Sequence, residues 1–118
     1  YLRRAVRVSL GGIFALTVYR TSNLAFALEE MRHSRPGVQS IALETHAQTR
    51  SLDTVSFSEE SIFIFGSEAH GLSADILSAC DLVVEIPMTP LADYDAANSL
   101  NVAASTAIAL YHWQNGRK

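Results

Sequence analysis

The residues best placed to do chemistry lie in one glycine-framed segment, Gly66-Ser67-Glu68-Ala69-His70-Gly71-Leu72-Ser73. An apolar run from Ile62 to Phe65 comes directly before the segment and is typical of a buried strand, while Ser73 is placed to cap a following helix. In open α/β sheets, ligands bind beyond the carboxyl ends of strands, where backbone N–H groups converge. No apolar period accounts for Glu68, so this carboxylate is the first candidate for a functional side chain.

The spacing of Gly66 and Gly71 matches that of a phosphate-binding loop, but the chemistry of the segment does not. Such a loop needs a lysine after its second glycine to reach the β- and γ-phosphates, and this chain has Leu72 there. Glu68 would add negative charge where phosphates lie. Nucleoside triphosphate binding is therefore disfavoured, although a generic nucleotide-binding domain stays open as an alternative. The dinucleotide fingerprint and the hydrolase elbow are both absent.

A second polar stretch, Asn98 to Ser105, falls at the start of the last predicted helix, which runs from Asn98 or Ser99 to Gln114. Free backbone N–H groups point outward from a first helical turn, so polar side chains there can join them in binding a ligand. Four alanines make the helix slim enough to pack closely against a sheet, a partner helix or a threaded backbone: Ala103, Ala104, Ala107 and Ala109. The alternative is that Asn98 and Ser99 only cap the helix, and for Asn101 both interpretations stay open.

The other reactive residue types give weaker patterns. The four histidines show no metal-ligand spacing with one another or with the single cysteine, so no metal site is predicted. These residues are His33, His46, His70, His112 and Cys80. Cys80 has apolar neighbours and is interpreted as a packed thiol near the start of a strand. Arg3, Arg4 and Arg7 share one helical face, which is either a solvated surface or a contact for phosphates.

Length and composition predict one globular domain over residues 1–118, with 48% hydrophobic and 18% charged residues. The formal net charge of −3 argues against the whole chain being a strong polyanion binder. No apolar run approaches the roughly 20 residues that cross a bilayer, and the N-terminus does not have the form of a secretory signal. A soluble, cytoplasmic protein is therefore expected.

The apolar periodicity predicts an alternation of helices and strands. Strands are predicted over residues 13–19, 38–43, 62–65 and 82–86, with 62–65 as the central strand, and helices over 2–10, 22–35, 74–79 and 98–114. Residues 48–60 are predicted to connect two strands, with at most a turn near Leu52 and Asp53. This order is typical of a mostly parallel sheet flanked by helices, an α/β fold.

Taken together, these segments resemble the SpoU, or TrmH-type, branch of the SPOUT RNA methyltransferases. Phe65 to Ser73 resembles the second motif of that family, Asp81 to Met88 the strand and turn that follow it, and Ser99 to Ala103 the third motif. Arg4 to Gly11 also resembles the segment just after the family's first strands. The motifs occur in the family's order and spacing over most of the chain.

The resemblance implies a trefoil-knotted α/β domain, a homodimer with active sites near the subunit interface, and S-adenosylmethionine as methyl donor. It implies the 2′-hydroxyl of a ribose in ribosomal or transfer RNA as acceptor. By motif position the cofactor pocket would be lined, largely through backbone groups, by Thr45, Phe65, Gly66, Ile86, Met88 and Leu100. The catalytic site would be organised by Glu68, Ser99 and Asn101.

Two departures from the family pattern qualify this expectation. The first motif, with the arginine that activates the ribose hydroxyl, belongs upstream of Tyr1 together with the N-terminal strands, so the chain is expected to be the cofactor-binding part and inactive by itself. The loop from Thr89 to Ala97 is longer than the family's usual connection. Target choice is expected to reside outside this chain. The alternative function is a non-catalytic knotted module for dimerisation or RNA docking.

Overall fold

The computed structural model describes residues 3–45, 49–67, 69–89 and 100–116. The helices are α1 (Arg3–Val8), α2 (Leu24–Ser34), α3 (Ala74–Ala79) and α4 (Val102–Asn115). The strands are β1 (Gln39–Leu43), β2 (Arg50–Ser51), β3 (Ser61–Phe65) and β4 (Leu82–Glu85). They form one sheet in the order β2-β4-β1-β3, and every pairing is parallel. The predicted parallel sheet flanked by helices is therefore confirmed.

Strand β1 lies at the centre of the described sheet, because it pairs with β3 on one side and with β4 on the other. Its residues Ile41 and Ala42 are 0% exposed. The core forms around Ile41 and Val84, with Leu52 and Val55 packed against them. The prediction that residues 62–65 are the central strand is wrong, since β3 lies at the sheet edge and only Ile64 of the strand is buried.

The strand predicted over residues 13–19 is absent. A 3-10 turn occupies Gly12–Ala15, and the extended residues after it belong to no strand. Leu16 and Tyr19 are 66% and 84% exposed. β-branched and aromatic residues favour strands because they pack on neighbouring strands, and no described strand lies beside this segment. Gly11, with φ of 84°, provides the left-handed turn that separates α1 from the 3-10 turn.

Strand β2 was not predicted from the sequence; it pairs Arg50 with Val84 and Ser51 with Glu85. Its two polar residues carry no apolar alternation, so a strand pattern was not visible. The turn predicted near Leu52 and Asp53 is confirmed as a 3-10 turn over Leu52–Thr54. Leu52 is 4% exposed and anchors this turn in the core.

The start of α2 differs from the predicted one, and the predicted cap of α3 is present without its hydrogen bond. Asn23, rather than Ser22, caps α2, because its Oδ1 accepts a hydrogen bond of 3.0 Å from the Phe26 N–H. Ser73 stands at the N-cap position of α3 as predicted, but its side chain makes no capping hydrogen bond. Asp75 lies in the first turn of α3, where the helix dipole favours a carboxylate.

Helix α4 is fixed to the chain between β2 and β3 by two polar side chains. His112 Nε2 lies 2.9 Å from the Val55 carbonyl oxygen, and Trp113 Nε1 donates to the Ser58 carbonyl oxygen at 3.0 Å. The Phe57 ring packs edge-on against the His112 ring. These contacts direct the N-terminus of α4 towards the carboxyl edge of the sheet. Within the described ranges, no helix has both the length and the apolar character that a bilayer crossing requires.

Candidate ligand site at the carboxyl edge of the sheet

Strands β1, β3 and β4 end side by side. The register pairs Leu43 of β1 with Phe65 of β3 and with Val84 of β4, so the residues that follow all three strands lie at one edge. A cavity of about 410 Å³ opens there, between this edge and the start of α4. Small-molecule sites commonly measure roughly 300–1,000 Å³ and lie at such edges. The sheet and α4 therefore form a candidate ligand site.

The structure brings together the residues that the sequence analysis assigned to a cofactor pocket. All six border this cavity: Thr45, Phe65, Gly66, Ile86, Met88 and Leu100. Asn101 borders it as well. The other two proposed catalytic residues, Glu68 and Ser99, lie outside the described residues.

Gly66, Ser67 and Gly71 of the glycine-framed segment border the cavity, and the chain closes on itself there. Ser67 and Gly71 exchange two backbone hydrogen bonds, of 3.2 and 2.8 Å, and the His70 N–H donates to Ser67 Oγ at 3.2 Å. A Cβ added at Gly66 would lie 2.3 Å from the carbonyl carbon of Gly71, so any side chain there would force the two backbones apart. Gly71 has φ of 63°, a left-handed conformation that favours glycine. Both glycines are thus required by the closure of the loop.

Asn101 has a structural role in addition to its place at the cavity. It caps α4, because its Oδ1 accepts a hydrogen bond of 2.9 Å from the Ala104 N–H. The prediction that α4 starts at Asn98 or Ser99 is corrected by this cap, since the helix begins at Val102. The amide nitrogen of Asn101 carries two further donors, so capping and a contact to a ligand are compatible.

Two acidic residues of the cavity, Glu44 and Glu85, were missed by the sequence analysis. Glu44 follows β1 directly, and its Oε2 accepts a hydrogen bond of 2.9 Å from the Leu72 N–H. Its position just beyond a strand end was the signal that could have identified it. Among the described residues that line the cavity, none is lysine or arginine. The wall therefore suits a neutral or cationic ligand better than a phosphate.

The remaining candidates do not border the cavity. Cys80 is half-buried, and burial, together with the neighbouring Asp81 carboxylate, raises the pKa of its thiol. Its Sγ donates to the Ile76 carbonyl oxygen at 3.1 Å, in agreement with the prediction of a packed thiol. Arg3, Arg4 and Arg7 are all exposed on α1. Over the described part of the chain, no three His, Cys, Asp or Glu residues gather as metal ligands would.

A parallel α/β sheet with a mixed polar and apolar cavity at its carboxyl edge defines a class of small-molecule-binding domains. Comparison with known families narrows this class. The model of the SpoU rRNA Methylase family matches residues 1–111, and the chain belongs to that family.

Curated relatives and solved structures agree with this assignment. The chain is 29% identical over 104 residues to a tRNA (guanosine(18)-2′-O)-methyltransferase of Borreliella burgdorferi, covering 88% of this chain and 44% of the relative. It is 31% identical over 112 residues to a 23S rRNA (adenosine(1067)-2′-O)-methyltransferase of Streptomyces laurentii, covering 92% of this chain and 37% of the relative.

Among solved structures, the SpoU methyltransferase AviRb of Streptomyces viridochromogenes, in complex with the cofactor AdoMet, superposes with a TM-score of 0.80 at 26% identity. The match covers 99% of this chain and 45% of that protein. The chain thus spans less than half the length of each of these three relatives.

Proposed function

We propose that the protein containing this chain transfers a methyl group from S-adenosylmethionine to a ribose 2′-hydroxyl of ribosomal or transfer RNA. In this proposal, residues 1–118 form a single domain that supplies the cofactor pocket. The observation that carries the proposal is the meeting of three strand ends and the start of α4 around one cavity. The membership in the SpoU family and the 2′-O-methyltransferase relatives support the reaction.

The cavity fits an adenosyl sulfonium in size and in chemistry. Its volume of about 410 Å³ is sufficient for a ligand of this class. Gly66 has no side chain between its backbone and the cavity, and Ile86 follows β4, so their peptide groups can recognise an adenine ring. The carboxylate of Glu85 suits the positive charges of the ligand.

When bound, S-adenosylmethionine supplies an electrophilic methyl group. The protein must hold that group in line with a ribose oxygen and assist the loss of the hydroxyl proton. We assign the organisation of this step to Glu68, Ser99 and Asn101, with Asn101 able to donate from its amide while it caps α4. In the family, the arginine that activates the hydroxyl belongs to the first motif, and that motif is not found among residues 1–118. We therefore propose that these residues by themselves bind the cofactor without turnover.

A trefoil knot, with α4 threaded through a loop and further N-terminal strands beside the sheet, is proposed from the family resemblance. A homodimer is supported by the outward face of α4, where Leu110 and Tyr111 are 45% and 74% exposed. An enzyme that modifies ribosomal or transfer RNA works where these RNAs function, so we place it in the cytoplasm.

The proposal is tested by calorimetric titration of the chain with S-adenosylhomocysteine, which is stable and has the same adenosyl group. Binding is expected, with ATP binding at least tenfold weaker because the lining residues described here include no basic side chain. Leu100→Trp, which fills the cavity, should weaken binding by tenfold or more. Ile108→Trp is the matched control, since Leu100 and Ile108 are 38% and 37% exposed and Ile108 does not line the cavity.

A Gly66→Trp variant is a poorer test, because any Cβ at this position collides with the backbone of Gly71. A folded chain that does not bind S-adenosylhomocysteine contradicts the proposal. If such a chain also forms a stable dimer, the result favours the alternative of a non-catalytic dimerisation or RNA-docking module. Preferential binding of ATP would instead favour a generic nucleotide-binding domain.

A further inference from the structure

We propose that Glu44 is a positioning residue of this cavity, which ties the chain at Leu72, next to the contact of Gly66 with Gly71, to the end of β1. The inference rests on the proposed function, because it concerns the same ligand site. It assigns the effect of Glu44 to one hydrogen bond, from the Leu72 N–H to its carboxylate, rather than to the charge of that carboxylate.

The backbone of Glu44 is itself held in place. Its N–H donates to the Val84 carbonyl oxygen at 3.1 Å, which continues the pairing of β1 and β4 by one residue. The side chain is half-buried, and its Oε2 lies 2.9 Å from the Leu72 nitrogen. A separation of 2.9 Å is that of a well-formed N–H···O hydrogen bond.

Gly71 allows this contact. A Cβ at Gly71 would lie 2.5 Å from Oε2 of Glu44, in the space that the carboxylate occupies. The left-handed backbone of Gly71, with φ of 63°, turns the chain so that the next N–H faces Glu44. The absence of a side chain at Gly71 therefore permits two close approaches, one by the Gly66 backbone and one by the Glu44 carboxylate.

The other hydrogen bonds of the loop have a different effect. Those between Ser67 and Gly71, and that from the His70 N–H to Ser67, join parts of the loop to one another. They define the shape of the loop, whereas the bond from Leu72 to Glu44 connects it to the strand beside β3. This connection places the Gly66 backbone relative to Thr45, which borders the same cavity.

Two substitutions separate the hydrogen bond from the charge. Glu44→Gln removes the charge but keeps a side-chain oxygen that can accept from Leu72, while Glu44→Leu keeps a similar side-chain size and removes the acceptor. Glu85→Gln is the control for loss of a carboxylate from the same cavity. Each protein is examined by amide hydrogen exchange of Leu72, by titration with S-adenosylhomocysteine and by thermal unfolding.

In the wild-type chain without ligand, the Leu72 amide should exchange slowly. Glu44→Leu should speed this exchange about tenfold and weaken S-adenosylhomocysteine binding about tenfold, with a smaller effect on amides of β1. Glu44→Gln should stay within about threefold of wild type in both measurements. Glu85→Gln should leave the Leu72 exchange unchanged.

Equal losses in Glu44→Gln and Glu44→Leu would overturn the inference, because they would assign the effect to charge. An unprotected Leu72 amide in the wild-type chain would overturn it as well, and this measurement decides the matter if Glu44→Leu does not fold. Absence of ligand binding by wild type would contradict the proposed function alone, since the exchange of Leu72 is measured without ligand.

Discussion

Replacing Asp81 by alanine should destabilise the fold more than the exposure of this residue suggests. Asp81 lies just before β4 and connects three elements. Its Oδ2 accepts hydrogen bonds from the Ser40 N–H at 2.8 Å and from the Ser40 hydroxyl at 2.6 Å. Its Oδ1 accepts from the Arg32 guanidinium of α2 at 2.9 Å. Asp81→Ala removes all three contacts at once.

The expected magnitude follows from the burial of the partners. Ser40 is 4% exposed, and a buried donor left without a partner costs about 1–3 kcal/mol. The ion pair adds little, because the side chains of Arg32 and Asp81 are 46% and 37% exposed, and such pairs contribute about 0–1 kcal/mol. We expect Asp81→Ala to lower the free energy of unfolding by about 2–3 kcal/mol, which lowers Tm by roughly 8–12 °C in a domain of this size.

The stability lost in Asp81→Ala should be smaller at acidic pH. Burial by itself raises the pKa of the Asp81 carboxyl, but the hydrogen bonds from Ser40 and the charge of Arg32 outweigh it, so the pKa is lowered. A lowered pKa in the folded state means that the stabilisation is present above the ordinary aspartate value of about 3.9 and is lost as the pH falls below it. The difference between wild type and Asp81→Ala should therefore be largest above about pH 5.

Urea unfolding, followed by circular dichroism between pH 3 and pH 7, measures this difference. It should shrink as the pH falls from 5 to 3. Glu30→Gln is the control for loss of an exposed carboxylate on α2 and should change the free energy of unfolding by less than about 0.5 kcal/mol. A difference between wild type and Asp81→Ala that stays constant down to pH 3 would refute the argument from the ionised carboxylate.

Two further predictions concern the surface and the thiol. Tyr111 is 74% exposed on α4, and Tyr111→Glu should lower the mass measured by light scattering if this face forms the proposed homodimer. The control Gln114→Glu, on the same helix, should leave the mass unchanged. An unchanged mass in Tyr111→Glu would contradict a dimer formed through this face. Cys80 should react with maleimide at pH 7 at least tenfold more slowly in the folded chain than in urea, because burial raises its pKa; equal rates would contradict a packed thiol.

Helices and strands could be predicted where an apolar run has clear ends in the sequence. β1, β3, β4 and α3 were found within a residue or so, because their apolar runs end at clear polar or turn residues. The segment Leu16 to Tyr19 has the composition of a strand, but none of the described strands lies beside it. Composition shows that a segment suits a β-sheet. A strand forms only where a partner strand lies beside the segment, and that pairing depends on the whole fold.

The order of the strands was beyond the reach of the sequence pattern. Residues 62–65 are more apolar than β1, yet β1 is central, because burial of Ile41 and Ala42 depends on which strands lie on either side. β2 shows the converse, since Arg50 and Ser51 become a strand only through pairing with β4. The six residues taken from motif positions all border the cavity, whereas periodicity did not give the strand order. Glu44 was missed because its partner, Leu72, is 28 residues away.

The cavity depends on two separate closures, and each has its own cause in the sequence. Gly66 and Gly71 close the loop after β3, because only glycine permits backbones to approach as closely as they do here. His112 and Trp113 close the other side, since their bonds to residues 55–58 hold α4 with its first turn beside the strand ends. The Gly-x-x-x-x-Gly spacing is therefore used to fold a loop back on itself instead of to surround a phosphate. Because Glu44 then occupies the space beside Gly71, the same closure brings a carboxylate to the wall. The Glu44 carboxylate at this wall disfavours a bound phosphate.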